Sequence, residues 1–392
     1  MGNDRFVVNP FEEFLLSPSD KKSLKDFGDN FINANVETYE AFIAENRVSV
    51  NPTAWKLVKS KGETRVYRER RPVQKATYPK SLMTGVTWGT VDDVMFGALN
   101  PTLESMRIKA SYVDDMSGGA VLASLEMPSV HEPFKSMTVK WMELDLPFAK
   151  TPLVKNRDYV FLESTNTASL STGERVGVMV FHSVSFPQAK ALPGRIRANM
   201  STCCIFRQIG PDTVEVYGSG VTDPGGDRIQ KLVMPTIATG YLSTLKYAHC
   251  SNMKKLVWLL EQRYALAKDV GLRARPGVCI MCTSSAMATL RVGDYSKSQR
   301  DTCKLCNGYL CRACRSPCPL TFVGADLQLQ QRNVTFCGLC RLRVRKMSPI
   351  DVAKEHAVLY GRQAASLIDT ELTTRTASSS DVMLKRARNL DR

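Results

Sequence analysis

The sequence predicts an α+β protein in which a curved antiparallel sheet surrounds a long C-terminal helix, with a small metal-binding module after it. Strand-like segments separated by turn residues run from about 54 to 221, and a helical pattern then continues to about 268. The module is predicted by cysteine spacing, because eight of the twelve cysteines form four Cys-x-x-Cys pairs between Cys279 and Cys340.

Length and composition place the chain among globular proteins. Its 392 residues allow two or three domains, and a hydrophobic content of 43% can bury a sizeable core. No apolar segment reaches the ~18 residues that would span a bilayer. No secretory signal is visible, and abundant unpaired cysteine indicates a reducing compartment. We therefore expect a cytoplasmic protein.

The net charge of +15 is concentrated in the cysteine-rich part of the chain. Residues 271–345 carry twelve Lys and Arg against three Asp and Glu. Such a surface suits an anionic membrane, where each nearby basic residue contributes roughly 1 kcal/mol. Nucleic acid is the rival partner, which we disfavour. A basic surface that only keeps a small module soluble is the third interpretation.

The first predicted element is a helix over residues 17–45, which begins at the end of the predicted N-terminal segment, residues 1–19. Ser17-Pro18 or Ser19-Asp20 can cap this helix. Apolar residues recur in it at helical spacing: Ile32, Val36, Tyr39 and Ile43.

The predicted strands follow in two groups. Trp55–Val58 and Thr64–Arg70 flank a hairpin turn at Lys61-Gly62, and Ser81–Thr87 is the third strand. Thr90 and Asp93 have the spacing of a capping box, which predicts a short helix over Val91–Leu99. Six strands then come in succession: Ala120–Met127, Ser136–Leu144, Arg157–Thr165, Arg175–Ser183, Asn199–Ile209 and Thr213–Val221.

The last element of this part is a long helix that begins after Asp223-Pro224-Gly225-Gly226 and ends near Lys268. Pro235 is expected to kink or open it, because proline cannot donate the backbone hydrogen bond. One stripe of the helix is predicted to be buried: Leu245, His249, Leu256, Leu260 and Tyr264.

Two segments in this part resemble START lipid-transfer domains. Asn156-Arg157-Asp158-Tyr159-Val160 is similar to the Asn-Arg-Asp-aromatic-Val segment of that family, and Asp223-Pro224-Gly225-Gly226 is similar to a second landmark before its last helix. The resemblance covers roughly residues 20–268. It implies a START helix-grip fold with an internal tunnel for one lipid or sterol.

The resemblance also points to a loop at the mouth of that tunnel. In START domains an apolar loop occupies the position of residues 146–154. Phe148, Leu153 and Val154 are therefore expected to touch the bilayer or fold over the ligand, and capping of the core by these side chains is the other interpretation.

The four Cys-x-x-Cys pairs predict two zinc ions per chain. Two such pairs complete one tetrahedral site with Zn–S bonds of roughly 2.3 Å. The gap between the second and third pairs is only four residues, which favours an interleaved arrangement. A disulfide framework is the alternative, and it needs an oxidising compartment. The predicted ligands are Cys279, Cys282, Cys311 and Cys314 for one ion, and Cys303, Cys306, Cys337 and Cys340 for the other.

The segment from Arg300 to Cys314 resembles the core of the FYVE zinc finger, a family that reads phosphatidylinositol 3-phosphate on endosomal membranes. Gly308 and Leu310 fit the family pattern between the second and third pairs. The two histidines that precede the family's third cysteine are replaced here by Asp301 and Thr302. The module is therefore FYVE-related. PHD and RING fingers fit its spacing and ligands less well.

The FYVE resemblance assigns head-group contacts to Arg300, Lys304 and Arg312. Because Asp301 places a negative charge where a phosphate should lie, we expect weak or no selective binding of the 3-phosphate. Cys318 is an unpaired cysteine close to these ligands, interpreted as a bystander, and competition with them as a ligand is the other interpretation.

The remaining boundaries follow from composition. Residues 269–277 form a linker, the finger occupies 278–345, and a C-terminal helix spans 346–372, started by Ser348-Pro349. Residues 373–392 are rich in Ser and Thr and then basic, which predicts a disordered tail.

These observations favour a non-enzymatic protein that binds or senses a lipid through the START-like domain. The FYVE-related finger would direct it to a protein or to endosomal or other anionic membranes. The alternative is a protein-binding adaptor whose START fold holds no lipid and whose finger makes a second protein contact.

Overall fold

The predicted α+β fold class is confirmed. A computed structural model describes residues 7–11, 14–46, 50–70, 78–113, 116–144, 155–225, 230–270, 278–282, 302–324 and 328–361. Its main feature is a curved sheet in the strand order β1-β5-β6-β7-β8-β10-β11-β4-β3-β2, with β9 beside β7. The strands are β1 (Val7–Val8), β2 (Trp55–Lys61), β3 (Thr64–Glu69), β4 (Ser81–Trp88), β5 (Gly118–Glu126), β6 (Ser136–Leu144), β7 (Asn156–Ser169), β8 (Arg175–Ser183), β9 (Arg195–Arg197), β10 (Asn199–Gly210) and β11 (Thr213–Asp223).

Strand pairing is antiparallel except at two places. β1 runs parallel to β5, and β9 runs parallel to β7. The eight longer predicted strands lie within a few residues of their expected bounds, and the hairpin between β2 and β3 turns at Gly62, whose φ is +58°. The two short parallel strands were not expected, because two or three residues are too few to show a period.

The described helices of this part are α1 (Pro18–Asn46), α2 (Val91–Ala98), α3 (Leu103–Val113), α4 (Gln230–Ser243) and α5 (Tyr247–Val270). Both expected caps are present. The Ser17 hydroxyl accepts a hydrogen bond from the Asp20 N–H at 3.0 Å, and Thr90 with Asp93 forms a capping box on α2.

One layer of helix lies on each face of the sheet. On the outer face α1 packs with its predicted stripe against alternate residues of β8, β10 and β11. That core contains Ile32, Val36, Tyr39, Val176, Val178, Val180, Cys203, Ile205 and Tyr217. On the inner face lie α2, α4 and α5, joined in one core with Met83, Met179, Cys204, Phe206 and Val216.

The long final helix departs from the prediction at its break. α4 continues through Pro235, and the interruption is a 3₁₀ turn at Thr244–Lys246. α5 then crosses α2 closely, since a Cβ at Gly97 would lie 1.8 Å from the Tyr247 carbonyl oxygen. Glycine at position 97 is therefore required for this crossing.

The buried surface of α5 is wider than the predicted stripe. Leu256 and Leu260 are buried as expected, but His249 is exposed, and every residue from 250 to 256 is buried. A helix that is buried on all sides must be covered by more than one layer. The covering layers are α2 and α3 on one side and the cysteine-rich module on the other.

The cysteine-rich module is built on a two-stranded antiparallel sheet, β12 (Ser316–Val323) with β13 (Leu329–Phe336). A short 3₁₀ turn, Arg312–Cys314, precedes it, and helix α6 (Gly338–Lys346) follows. The predicted C-terminal helix is present as α7 over residues 349–361, with Ala353 and Ala357 buried. Its predicted continuation to 372 and the tail 373–392 lie outside the described residues.

Candidate metal centres and lipid-facing surface

Two groups of four cysteines stand at the centre of the module, and each can hold a metal ion. Cys279 and Cys282 meet Cys311 and Cys314, while Cys303 and Cys306 meet Cys337 and Cys340. Within each group the sulfur atoms lie within 4.8 Å of one another. This is the interleaved arrangement that the four-residue gap predicts.

The sulfur separations distinguish a metal site from a disulfide. Cys282 Sγ lies 3.6 Å from Cys311 Sγ, and Cys306 Sγ lies 3.9 Å from Cys337 Sγ. Tetrahedral thiolates with Zn–S bonds of roughly 2.3 Å place their sulfurs about 3.8 Å apart. A disulfide needs a separation of about 2.05 Å. All twelve cysteines are free, so the geometry favours metal ligation over the disulfide alternative.

Backbone donors in each group favour thiolate ligands. Burial raises the pKa of Cys279, but the N–H groups of Cys311, Met281 and Cys282 donate to its sulfur and lower its pKa to about 6. In the same way, N–H donors from neighbouring residues outweigh burial and lower the pKa of Cys303. The pKa of Cys314 is raised to about 12 by hydrogen bonds with Cys282 and Cys311. Four adjacent sulfurs therefore need a cation before all of them can ionise.

The ninth cysteine of this region has a structural position. Cys318 lies on β12, is buried and belongs to neither group of four. It packs in the same core as the finger residues Leu310, Leu320 and Phe336. The interpretation of Cys318 as a bystander therefore fits its surroundings.

The predicted head-group residues are only partly described. Arg300 lies outside the described residues, as does Asp301. Arg312 is exposed, whereas Lys304 is half-buried and its backbone pairs with Thr335 across the module. Thr302, which stands where the family has its second histidine, is 5% exposed and bridges to Tyr309. The Thr302 hydroxyl is therefore largely withdrawn from the surface.

The module docks on the helices of the first part through buried polar contacts. Lys255 of α5 donates to Asp93 of α2 at 2.8 Å and to the Met347 carbonyl at 3.2 Å. Arg263, also on α5, donates to the Lys304 carbonyl at 2.6 Å. These bonds link α2, α5 and the cysteine-rich module at one junction.

A second set of contacts involves α3 and α7. The Tyr112 hydroxyl accepts a hydrogen bond from the Thr321 N–H of β12 at 2.6 Å. On α7, Glu355 accepts from Trp258 of α5 at 2.9 Å, and the ring of His356 contacts Phe96 edge-on. The predicted division into separate domains stays a prediction, but the described residues on both sides of it share one core.

The two segments that carry the START resemblance meet in space. Arg157 on β7 donates to the carbonyl groups of Pro224 and Gly225 at 3.1 and 3.3 Å. Asp158 points to the other face and accepts from Trp141 at 2.9 Å and from Arg197. Arg157 therefore ties the segment before α4 to β7, and Asp158 ties β7 to β6 and β9, so both residues have a structural role.

An apolar surface lies on the inner face, at the ends of β6, β7, β8 and β10. Tyr159 and Phe161 are buried at its centre. Around them Met142, Leu144, Phe181 and Met200 remain only half-buried. We call these six residues the inner apolar surface. The predicted mouth residues Phe148, Leu153 and Val154 belong to the connection between β6 and β7, which lies outside the described residues.

Deeper on the same face, a buried polar cluster follows. Lys140 of β6 pairs with Glu163 of β7 at 2.9 Å and donates to the Asn100 carbonyl at 2.8 Å. Near this pair the hydroxyl groups of Thr138 and Thr165 are buried and have no hydrogen-bond partner among the described residues. Unpaired buried hydroxyls are costly, so this end of the face can serve a polar group of a ligand.

Sequence reasoning did not find this cluster. Lys140 stands between Val139 and Trp141 in an apolar strand, and such a charge normally needs a partner of opposite sign nearby. Glu163 offers that charge, but the register that places it beside Lys140 is set by the whole sheet. The isolated lysine was therefore the only signal available.

Comparisons with known proteins give structural matches only. No family model matches, and no curated protein matches. Among solved structures, human STARD10 matches with 16% identity and a TM-score of 0.38, over 54% of this chain and 80% of that one. Human StAR-related lipid transfer protein 5 matches with 15% identity and a TM-score of 0.39, over 56% of this chain and 96% of that one.

A third match is the lipid transfer and protein localization domain of human StarD13, with 13% identity and a TM-score of 0.37, over 54% of this chain and 95% of that one. Matches at this level do not assign a function. Among the described residues, no helix is long and apolar enough to cross a membrane.

Proposed function

We propose that this chain is a non-enzymatic, cytoplasmic lipid-binding or lipid-sensing protein. Its helix-grip part holds one lipid or sterol, and its FYVE-related finger, built on two zinc ions, directs it to a protein or to endosomal or other anionic membranes. The observation that carries this proposal is the inner apolar surface, because four of its six side chains keep part of their area uncovered inside a curved sheet.

The partial exposure of these side chains favours a ligand. An apolar side chain contributes roughly 1.5–3 kcal/mol when it is fully buried, so leaving several half-buried costs stability unless another apolar molecule covers them. Ligand pockets are typically apolar with a few placed polar groups. Lys140, Glu163 and the two unpaired threonine hydroxyls supply such groups on the same face.

Native mass spectrometry of the full chain, followed by lipid extraction, tests this function. We expect two zinc ions and one lipid per chain. Phe181→Glu should abolish lipid occupancy, because it places a charge on the inner apolar surface. Phe27→Glu is the matched control, since Phe27 is 38% exposed on α1 at the outer face. The lipid-binding proposal fails if the wild-type chain carries no lipid after incubation with mixed-lipid vesicles.

The alternative is an adaptor whose inner face holds no lipid. The Lys140–Glu163 pair is the observation in its favour, because this ion pair already fills part of the inner face. A chain that carries two zinc ions and no lipid, and that co-purifies with one stoichiometric protein partner, supports the adaptor. In that case the finger would supply a second protein contact.

We expect the finger to bind anionic vesicles without preference for phosphatidylinositol 3-phosphate. Thr302 is buried, and Asp301 places a negative charge where a head-group phosphate would lie, so two positions of the family's head-group site are altered. Remaining basic residues attract any anionic surface, an effect that salt screens.

Liposome flotation tests this expectation. Vesicles that contain the 3-phosphate are compared with vesicles matched in charge by phosphatidylserine. Equal binding to both, fading as salt rises, is the expected result. A clear preference for the 3-phosphate that disappears in Arg300→Ala contradicts it and restores the family's head-group function.

A further inference from the structure

The outer face of helix α6 carries exposed apolar and basic side chains. Val344 is buried, and Cys337 and Cys340 at the start of the helix belong to the second group of cysteines. These three residues therefore mark the side of α6 that faces the module. On the opposite side Leu339 is 60% exposed and Leu342 is 48% exposed. Positions three, four and seven residues apart share one helix face, so Arg343 and Lys346 continue this stripe.

The exposed leucines are part of a larger apolar area. Val278, Ile280 and Met281, around the first cysteine of the module, are all exposed. Met281 lies against the start of α6, because a Cβ at Gly338 would be 3.2 Å from its terminal methyl carbon. Leu339 therefore continues the apolar area of the first Cys-x-x-Cys pair. Clustered exposed apolar side chains of this kind mark interaction sites.

Basic residues border the apolar area. α6 contains four Lys and Arg residues and no acidic residue. Arg343, Lys346 and Met347 line an open groove of ≈ 520 Å³ together with the two leucines. Arg345 does not line this groove, and its guanidinium lies 4.9 Å from the centre of the Trp88 ring, which is 44% exposed.

We propose that this surface, defined by Met281, Leu339, Leu342, Arg343 and Lys346, docks on an anionic lipid bilayer. We call it the α6 surface. The leucines enter the interface region, and the basic side chains reach the phosphate groups of anionic lipids. This inference rests on the membrane-directing part of the proposed function. It gives that role to α6 rather than to the segment from 300 to 312.

The combination of groups favours a bilayer over nucleic acid. Nucleic-acid binding depends on phosphate contacts and base-edge hydrogen bonds, and uncovered leucines contribute little to either. A bilayer interface takes apolar and basic groups from the same face of one helix. An anionic bilayer therefore accounts for both halves of the α6 surface, because its phosphate groups match the basic side chains and its apolar interior takes up the leucines.

Flotation of the full chain with vesicles of phosphatidylcholine alone, or of phosphatidylcholine mixed with phosphatidylserine, tests the inference. We expect Leu339→Asn with Leu342→Asn to weaken binding about tenfold or more. Arg343→Glu with Lys346→Glu should weaken it by a similar factor and flatten its salt dependence.

Matched controls lie elsewhere on the surface. Leu57 and Leu359 are 49% and 50% exposed, so Leu57→Asn with Leu359→Asn removes the same apolar groups outside the α6 surface. Lys56→Glu with Lys61→Glu makes the same change in net charge on β2. Both control pairs should bind as the wild type does, and all variants should retain two zinc ions by native mass spectrometry.

The outcomes separate the inference from the proposed function. If the α6 variants bind anionic vesicles as well as the wild type does, the inference is wrong, but the proposed membrane-directing role of the finger stands. If the wild type does not bind anionic vesicles, both the inference and the membrane-directing role are wrong. The separate measurement of lipid occupancy still decides whether the helix-grip part binds a lipid. Equal binding to neutral and anionic vesicles also overturns the inference, because the basic half of the surface would then have no role.

Discussion

Replacing Asp93 by alanine is expected to lower the free energy of unfolding by about 3–5 kcal/mol, because a buried lysine loses its counter-ion. Lys255 is fully buried, and its amino group lies 2.8 Å from Asp93 Oδ1. The same carboxylate accepts a hydrogen bond from Ser251 at 3.0 Å and caps α2 through Thr90. Alanine removes all of these acceptors at once, which places Asp93 among the most sensitive positions of the chain.

Asp92 is the matched control for this experiment. It precedes Asp93 in the first turn of α2, but its side chain is partly exposed and pairs with Arg175 at the surface. A surface pair contributes ~0–1 kcal/mol, so Asp92→Ala should have little effect. Urea unfolding followed by tryptophan fluorescence compares the two variants.

Combining Asp93→Ala with Lys255→Met identifies the cause. Methionine removes the unpaired charge and keeps most of the buried volume, so the double variant should recover part of the loss. If Asp93→Ala costs no more than Asp92→Ala, the buried ion pair is not a determinant of stability.

The sequence predicted those elements whose residue pattern arises from the same local contacts that form the element. Ser17 and Thr90 predicted helix starts because their hydroxyls satisfy local backbone donors, and both do so in the structure. The strand-like segment Arg175–Ser183 predicted β8, and its residues pack alternately on α1 and on the inner core. The spacing of the Cys-x-x-Cys pairs predicted their interleaving, because a four-residue gap limits which sulfurs can meet.

Helix α3 was missed because its pattern is not amphipathic. Ser105, Arg107 and Lys109 are all buried, so polar residues stand where an inward apolar stripe would be expected. Arg107 and Lys109 are long side chains whose stems pack while their charged ends find partners inside the fold. Those partners come from tertiary structure and leave no local signal.

The docking of the finger was missed for a related reason. Lys254, Lys255 and Arg263 on α5 have the polarity of a solvated helix face. In the structure Lys254 donates to the carbonyl groups of Phe96 and Leu99 at the end of α2, while the other two reach the module. Charged residues normally indicate solvent, and only the assembled fold shows that these three are held between layers.

This shared packing leads to the second large expected effect, which is the response to removal of the metal ions that the two groups of cysteines are proposed to bind. Structural zinc contributes apparent binding energies of about 10–16 kcal/mol in small finger peptides, so removing it should unfold the module. Because Leu310, Leu320 and Phe336 share a core with α5, we expect the loss to reach beyond the module. Cys303→Ser should therefore lower the midpoint of thermal unfolding of the helix-grip part as well.

Hydrogen exchange followed by mass spectrometry locates the effect. Residues 250–256 of α5 are all buried in the complete structure, and part of their cover is the module itself. Cys303→Ser, or chelation of the wild type, should accelerate exchange in this segment, whereas the outer helix α1 should stay protected. Cys318→Ala is the control, because Cys318 is buried in the same module but belongs to neither group of four. Unchanged protection of residues 250–256 after metal loss would show that the helix-grip part is stable without its finger. In that case the contacts between Lys255, Arg263 and the module would serve only to orient the finger, including the α6 surface, relative to the curved sheet.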